Sequence, residues 1–198
     1  MTATVQVSRH DCKTGVPRLY VLGASCSGVS TLGARLSDRL DVPLLDVDAF
    51  YWMPTDPPFT TKRPPEGRVS LIGMRQAETP GWVLAGSLVG WGDTLVADAD
   101  LIVFVYTPTP VRMQRLAKRE AHRHGARIQP GGDMHEDHLA FRDWAAGYDE
   151  PGFAGRSLAE HERWIAAQSL PVIRLDGEQD TEVLAQMIMG AIIGLERS

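Results

Sequence analysis

Residues 19–31 read LYVLGASCSGVST. An apolar run of β character, Leu19 to Leu22, meets Gly23. Four short residues, Ala24, Ser25, Cys26 and Ser27, then lead to Gly28. A helical stripe of Leu32, Leu36 and Leu40 begins behind Val29. Two glycines at this spacing let the backbone curl until successive N–H groups point inward, and the helix behind adds the positive end of its dipole. Such a loop holds an anion, above all a phosphate. The stretch fits G-x-x-x-x-G-K-[ST] through Gly23, Gly28 and Ser30, with Thr31 following, but Val29 stands where the lysine belongs. The backbone of Gly23 to Thr31 is therefore the candidate cradle for donor phosphates, and Ser30 the candidate hydroxyl for Mg²⁺. The competing reading is an ordinary glycine-rich βα turn.

Two carboxylates come next. Asp46 and Asp48 follow the short apolar run Val42 to Leu45, at the carboxyl end of an expected strand, the edge where open α/β sheets bind ligands. Asp46 is the second candidate for Mg²⁺. Asp48 is placed to orient or deprotonate an acceptor hydroxyl, although both aspartates also suit a plain loop cap. Positive charge comes from Arg112, Arg115, Arg119 and Arg123, which share a helical face, and from Arg127 beyond them. Planar guanidinium forks suit phosphate oxygens, and a solvated helix face is the alternative. Lys62 and Arg63 are possible stand-ins for the missing lysine, or contacts for an anion on the acceptor. Tyr51, Trp52 and Trp91 could line an acceptor pocket, with Ser87 and Asp93 as polar contacts there. His135 and His138 have a spacing compatible with zinc, but no third ligand is specified, and a solvated helix is the simpler account.

These residues need a frame to bring them together. At 198 residues, 43% hydrophobic and 23% charged, the chain suits one α/β domain. Residues 1–16 are polar and aperiodic and read as an arm or edge. From 17 to 198 strands and helices alternate, which indicates a parallel sheet covered on both faces. Expected strands are residues 19–22, 42–45, 81–86, 101–106 and 171–175. Helices are expected over 29–40, from Pro64–Pro65 to 77, from Thr109–Pro110 to 124, from an Asp133/Glu136 capping box to 146, from a Ser157/Glu160 box to 167, and near the carboxyl terminus with Leu184, Met187, Ile188 and Ile192 on one stripe. Residues 125–168 interrupt the alternation, where a mobile lid would sit. A net charge of −5 argues against general nucleic-acid binding, no run is long enough to span a membrane, and two cysteines without a disulfide framework suit a reducing cytoplasm.

On GASCSGVST, LLDVDAFYW, GWVLAG and RLAKRE, the chain from about Arg18 onward resembles P-loop kinases of the adenylate-kinase-like group, including small bacterial nucleotide kinases. The resemblance implies a P-loop NTPase fold with a five-stranded parallel core, ATP and Mg²⁺ as cosubstrates, and lid arginines that close over the phosphates. Arg115 and Arg119 match arginines ahead of the lid, and Arg127 falls within it. Two positions depart from the pattern: Val29, and Ala85-Gly86-Ser87 where relatives often carry an acid. The activity expected is ATP-dependent phosphoryl transfer to a nucleoside monophosphate-like acceptor. A hydroxylated metabolite is the alternative acceptor, and a nucleotide-binding regulator without efficient transfer is the alternative class.

Overall fold

The structure, a computed structural model, describes residues 5, 6 and 15–196. Cys12 and most of the expected N-terminal arm lie outside the described residues. The elements run β1 (Val5–Gln6), β2 (Arg18–Gly23), α1 (Val29–Leu40), β3 (Leu44–Asp46), α2 (Val47–Tyr51), α3 (Pro65–Ala77), β4 (Trp82–Ala85), β5 (Leu101–Tyr106), α4 (Thr109–His124), α5 (His135–Ala146), α6 (Leu158–Ala166), β6 (Val172–Asp176) and α7 (Thr181–Glu196). Short 3₁₀ turns join several of them.

The strand order is β1-β6-β5-β2-β4-β3, with five parallel strands and β1 pairing antiparallel on the β6 edge. Register places Val21 beside Ala85 and Val103, and Asp46 beside Ala85. The carboxyl ends of β2, β4 and β3 therefore open on one edge, with Gly23, Ser87 and Asp46 in adjacent rows. The strands read as near-continuous apolar runs because helices cover both faces. One core face gathers Leu19, Val21, Leu32, Leu36 and Val103 under α1 and α7. The other gathers Tyr20, Leu22, Trp82, Leu84 and Ile102 under α3 and α6.

Local sequence sets most boundaries. Pro65 opens α3, where its missing N–H costs nothing. The Ser157 hydroxyl accepts from Glu160 N–H at the start of α6, as expected of that box. Three expectations are corrected. Helix α4 starts with Pro108 as N-cap, because the Thr109 N–H and hydroxyl turn instead to the Asp149 carboxylate. Asp133 does not cap α5, whose N-cap is Met134; Arg127 takes the Asp133 carboxylate first. The buried face of α7 is Leu184, Ala185, Ile188 and Ile192, and Met187 lies beside it, partly in solvent. Among the described residues no helix is long and apolar enough to cross a membrane.

Candidate active site

The glycine loop connects β2 to α1. Gly28 sits at φ +106°, a conformation that needs no Cβ, and provides the N-cap of α1. Cys26 is left-handed as well, at φ +63°. Burial pushes its thiol pKa up, against the opposing field of Arg119. Ser27 is fully buried, and its hydroxyl has no hydrogen-bond partner among the described residues. Its carbonyl accepts from Thr107 Oγ1 at 2.9 Å and from Arg115 Nη1 at 3.4 Å. A second Arg115 nitrogen donates to the Gly177 carbonyl at 2.9 Å, so this guanidinium spans the loop and the turn after β6. Val29 is packed into the core with Leu32 and Leu36. Ser30 and Thr31 stand exposed on the first turn of α1.

Two strands away, Asp46 ends β3 and caps α2, accepting from Asp48 N–H at 3.0 Å. Its carboxyl is partly buried, and burial raises its pKa against that hydrogen bond. Asp48 is exposed on the wall of a pocket of about 390 Å³, which Trp52, Met53, Pro58, Phe59 and Arg63 also line. Arg63 Nε donates to the Phe50 carbonyl at 3.0 Å. Lys62 is exposed and bridges antiparallel to Trp52.

Behind this wall, Tyr51 and Trp91 meet edge to face at 6.0 Å. Arg68 of α3 lies against both rings, its guanidinium 3.7 Å from the Tyr51 centroid and 5.3 Å from that of Trp91. Arg68 is buried, its Nε donates to the Arg63 carbonyl, and no carboxylate pairs with it among the described residues. Gly86, at φ +129°, lets the turn after β4 close on β3: a Cβ there would stand 2.5 Å from that of Val47. Ser87 follows, its hydroxyl 3.0 Å from buried His161. Asp93 Oδ1 accepts from the Trp164 indole at 2.9 Å and so belongs to the wall behind β4.

The basic helix divides its work. Arg112, expected on one face with the others, is buried instead, with Nε on the Thr107 carbonyl, Nη1 on the Ala145 carbonyl and Nη2 on Thr109 Oγ1. Its angular offset of about 60° from Arg115 turns it into the protein. Arg119 meets Glu120 at 3.1 Å and lies 5.9 Å from the Phe141 ring. Glu120 is buried near His124 and His138, at 3.8 and 3.9 Å. Arg127 binds Asp133 at 2.6 Å and reaches Asp56 at 2.7 Å, joining segment 125–168 to the Pro-rich loop rather than to the glycine loop. Among the described residues no three His, Cys, Asp or Glu side chains gather as a metal cluster.

The structure thus brings the glycine loop, Arg115, Asp46 and Ser87 to one sheet edge, with Asp48, Trp52 and Arg63 at the adjoining pocket. Sequence reasoning missed Arg68, His161 and Tyr148. Arg68 sits in a polar helix and reads as a surface charge; the signal available was its place in the turn just after Lys62 and Arg63. His161 and Tyr148 carry no local pattern, because their partners are distant in sequence.

The fold is similar to that of solved shikimate kinase structures. It superimposes on the shikimate kinase of Bacteroides thetaiotaomicron with a TM-score of 0.55 at 18% identity, covering 89% of this chain and 98% of that one. For the shikimate kinase of Acinetobacter baumannii in complex with shikimate, the TM-score is 0.51 at 19% identity, over 91% and 95% of the two chains. At such identities the likeness is one of fold. No protein-family model matches. Sequence places the chain more closely: it belongs to the family of the uncharacterized protein YqaC of Bacillus subtilis (strain 168), being 40% identical over 160 residues that make up 81% of this chain and 88% of that protein.

Proposed function

We propose that the protein is an ATP-dependent kinase that phosphorylates a hydroxyl group on a small anionic molecule. The observation that carries this reading is the arrangement of the glycine loop and exposed Asp48 on one parallel-sheet edge, with a pocket of about 390 Å³ beside that carboxylate. The acceptor hydroxyl enters the pocket and gives its proton to Asp48. Its oxygen bonds to the γ-phosphorus of ATP as the bond to the β-phosphate oxygen breaks, and ADP leaves. Such a transfer asks the protein for alignment and positive charge rather than covalent chemistry.

The loop residues Gly23 to Thr31 cradle the donor phosphates. Arg115, already on the loop carbonyl of Ser27, and Arg119 supply charge in place of the absent lysine. Segment 125–168 acts as the lid, with Arg127 at its hinge. Ser30 and Asp46 offer the hard oxygen donors that suit Mg²⁺, which would neutralise charge on the donor phosphates. Arg63, which lines the pocket, and exposed Lys62 hold the anionic group of the acceptor, and buried Arg68, which has no carboxylate partner among the described residues, adds its charge from behind them. Tyr51, Trp52 and Trp91 shape the pocket, Ser87 contacts the acceptor, and Asp93 supports the wall through Trp164.

The nucleoside monophosphate expected from the adenylate-kinase resemblance gives way here to a hydroxy acid. Two folds of similar architecture are those of shikimate kinases, and an unpaired arginine against two aromatic rings suits a compact anion. A second reading, a nucleotide-binding regulator, is favoured by one observation: Val29 faces the core and leaves the lysine position uncharged.

The test is ADP release from ATP and Mg²⁺ with a panel of cyclic hydroxy acids, sugar acids and nucleoside monophosphates. A hydroxy acid should raise release at least 100-fold over the acceptor-free rate. Turnover confined to nucleoside monophosphates contradicts the acceptor assigned here. ATP binding without turnover on any acceptor supports the regulator.

A further inference from the structure

Ser87 stands between the glycine loop and Asp46, at the end of a buried hydrogen-bonded row. Its Oγ lies 3.0 Å from His161 Nε2, and Nδ1 on the far side of that ring lies 2.8 Å from the Tyr148 hydroxyl. His161 is fully enclosed, and Tyr148 and Ser87 are nearly so. The rings of Phe104 and Tyr148 stand edge-on to the imidazole at 6.0 and 5.5 Å. Arg156 acts on the ring; at the Tyr148 end Arg112 lies 4.9 Å from the ring centre, and Asp149 and Glu162 act on the phenol with the opposite sign. No carboxylate contacts His161 among the described residues, and burial, with Arg156 adding to it, pushes its pKa down to about 3. The imidazole is neutral at ordinary pH.

A neutral imidazole carries one N–H and one lone pair, so the row has only two possible directions. Burial also raises the Tyr148 pKa, so its phenol keeps a proton, and the acceptor the structure offers that proton is His161 Nδ1. Were Nδ1 to carry the ring proton instead, the buried Tyr148 hydroxyl would lose His161 as the acceptor of its proton, the costlier arrangement. Tyr148 therefore donates to Nδ1, Nε2 carries the ring proton and donates to Ser87 Oγ, and the Ser87 proton is left over. His161 already occupies the Ser87 oxygen as a donor, so that proton points away from His161, at the less buried end of the row.

We propose that Tyr148 and His161 are positioning residues that fix Ser87 as a one-way hydrogen-bond donor, selecting an acceptor with a carboxylate or carbonyl oxygen at that point. What the proton meets rests on the kinase reading above. Its direction does not. The row also ties segment 125–168, through Tyr148 and His161, to the turn after β4.

Long-range ¹H–¹⁵N NMR of the histidine side chains in the full protein reads the direction without any substrate. The His161 ring should be neutral with its proton on Nε2 from pH 7 to pH 5. Ser87→Ala should leave that tautomer in place, whereas Tyr148→Phe, which removes the donor to Nδ1, should shift the ring to a mixture. A proton on Nδ1, or a charged ring at pH 6, overturns the proposal even if the enzyme is a kinase. With an acceptor from the panel above, Ser87→Ala and Tyr148→Phe should raise acceptor KM five- to twentyfold, with the larger share of the loss in KM rather than kcat. Ser87→Thr, which keeps the hydroxyl, should recover most of it. Loss in kcat alone, or an equal rise in KM for ATP, contradicts the proposal. Absence of turnover on every acceptor removes the kinase reading and leaves the tautomer to decide the row.

Discussion

Arg68 is buried without a carboxylate partner among the described residues. A buried arginine ordinarily has a carboxylate partner, because an unpaired charge is expensive to desolvate. Here the partners are two aromatic faces and one carbonyl. Cation–π contacts of this kind stabilise by about 1–2 kcal/mol when desolvated, less than a buried ion pair loses when broken. The residue fits a role in binding better than one in folding. Arg68→Leu, which keeps the bulk against Tyr51 and Trp91, should alter unfolding free energy in urea by less than about 1 kcal/mol. It should raise acceptor KM at least 30-fold. A stability loss of about 3 kcal/mol or more with unchanged KM would make Arg68 structural instead. Apart from its nearness to Lys62 and Arg63, little in the sequence separates this arginine from the exposed Arg75 of the same helix; its burial comes from α2 and the turn after β4, which fold against it from elsewhere. The tight turn from Gly23 to Gly28 is legible in the sequence because the residues that shape it are consecutive.

At the scale of elements, the amphipathic patterns placed α1, α3, α4, α6 and the parallel strands within a residue or two, since each of these signals is local. The missed details are those in which distant groups compete. Thr109 gives its hydroxyl to Asp149, 40 residues along the chain, and Arg127 takes the carboxylate of Asp133 that would have capped α5. The contact of α6 with β4 through His161 belongs to this class, and it has a pH signature. The pKa of His161 falls from an ordinary 6.5 to about 3 on folding. Above pH 6.5 both states are neutral and the residue contributes no slope. Below it the unfolded chain takes up a proton that the folded protein refuses, so stability is lost as pH falls, by about 1.4 kcal/mol per unit for one such group. Urea unfolding at pH 7 and pH 5 should show about 2 kcal/mol more acid destabilisation in the natural protein than in His161→Asn. Equal losses in the two proteins would mean that His161 is protonated in the fold.

For the whole molecule, topology does most of the positioning. Parallel strands β2, β4 and β3 bring a phosphate-type loop, a serine and two aspartates to one edge, although their residues are separated by as many as 64 positions, from Gly23 to Ser87. The alternation of strands and helices announces that edge in the sequence, and the covered apolar strands confirm why it is stable. The pocket beside Asp48 was not legible in the same way. It is built by the Pro-rich loop between α2 and α3, whose path depends on the Arg63 contact with Phe50 and on the Arg127 ion pair with Asp56. On the function proposed above, this edge holds a nucleoside triphosphate although Val29 stands at the lysine position. Calorimetric titration of the protein with ATP, with and without Mg²⁺, tests it most directly. Micromolar binding, tightened by the metal, is the predicted result; no binding heat at millimolar ATP, with or without Mg²⁺, would contradict it.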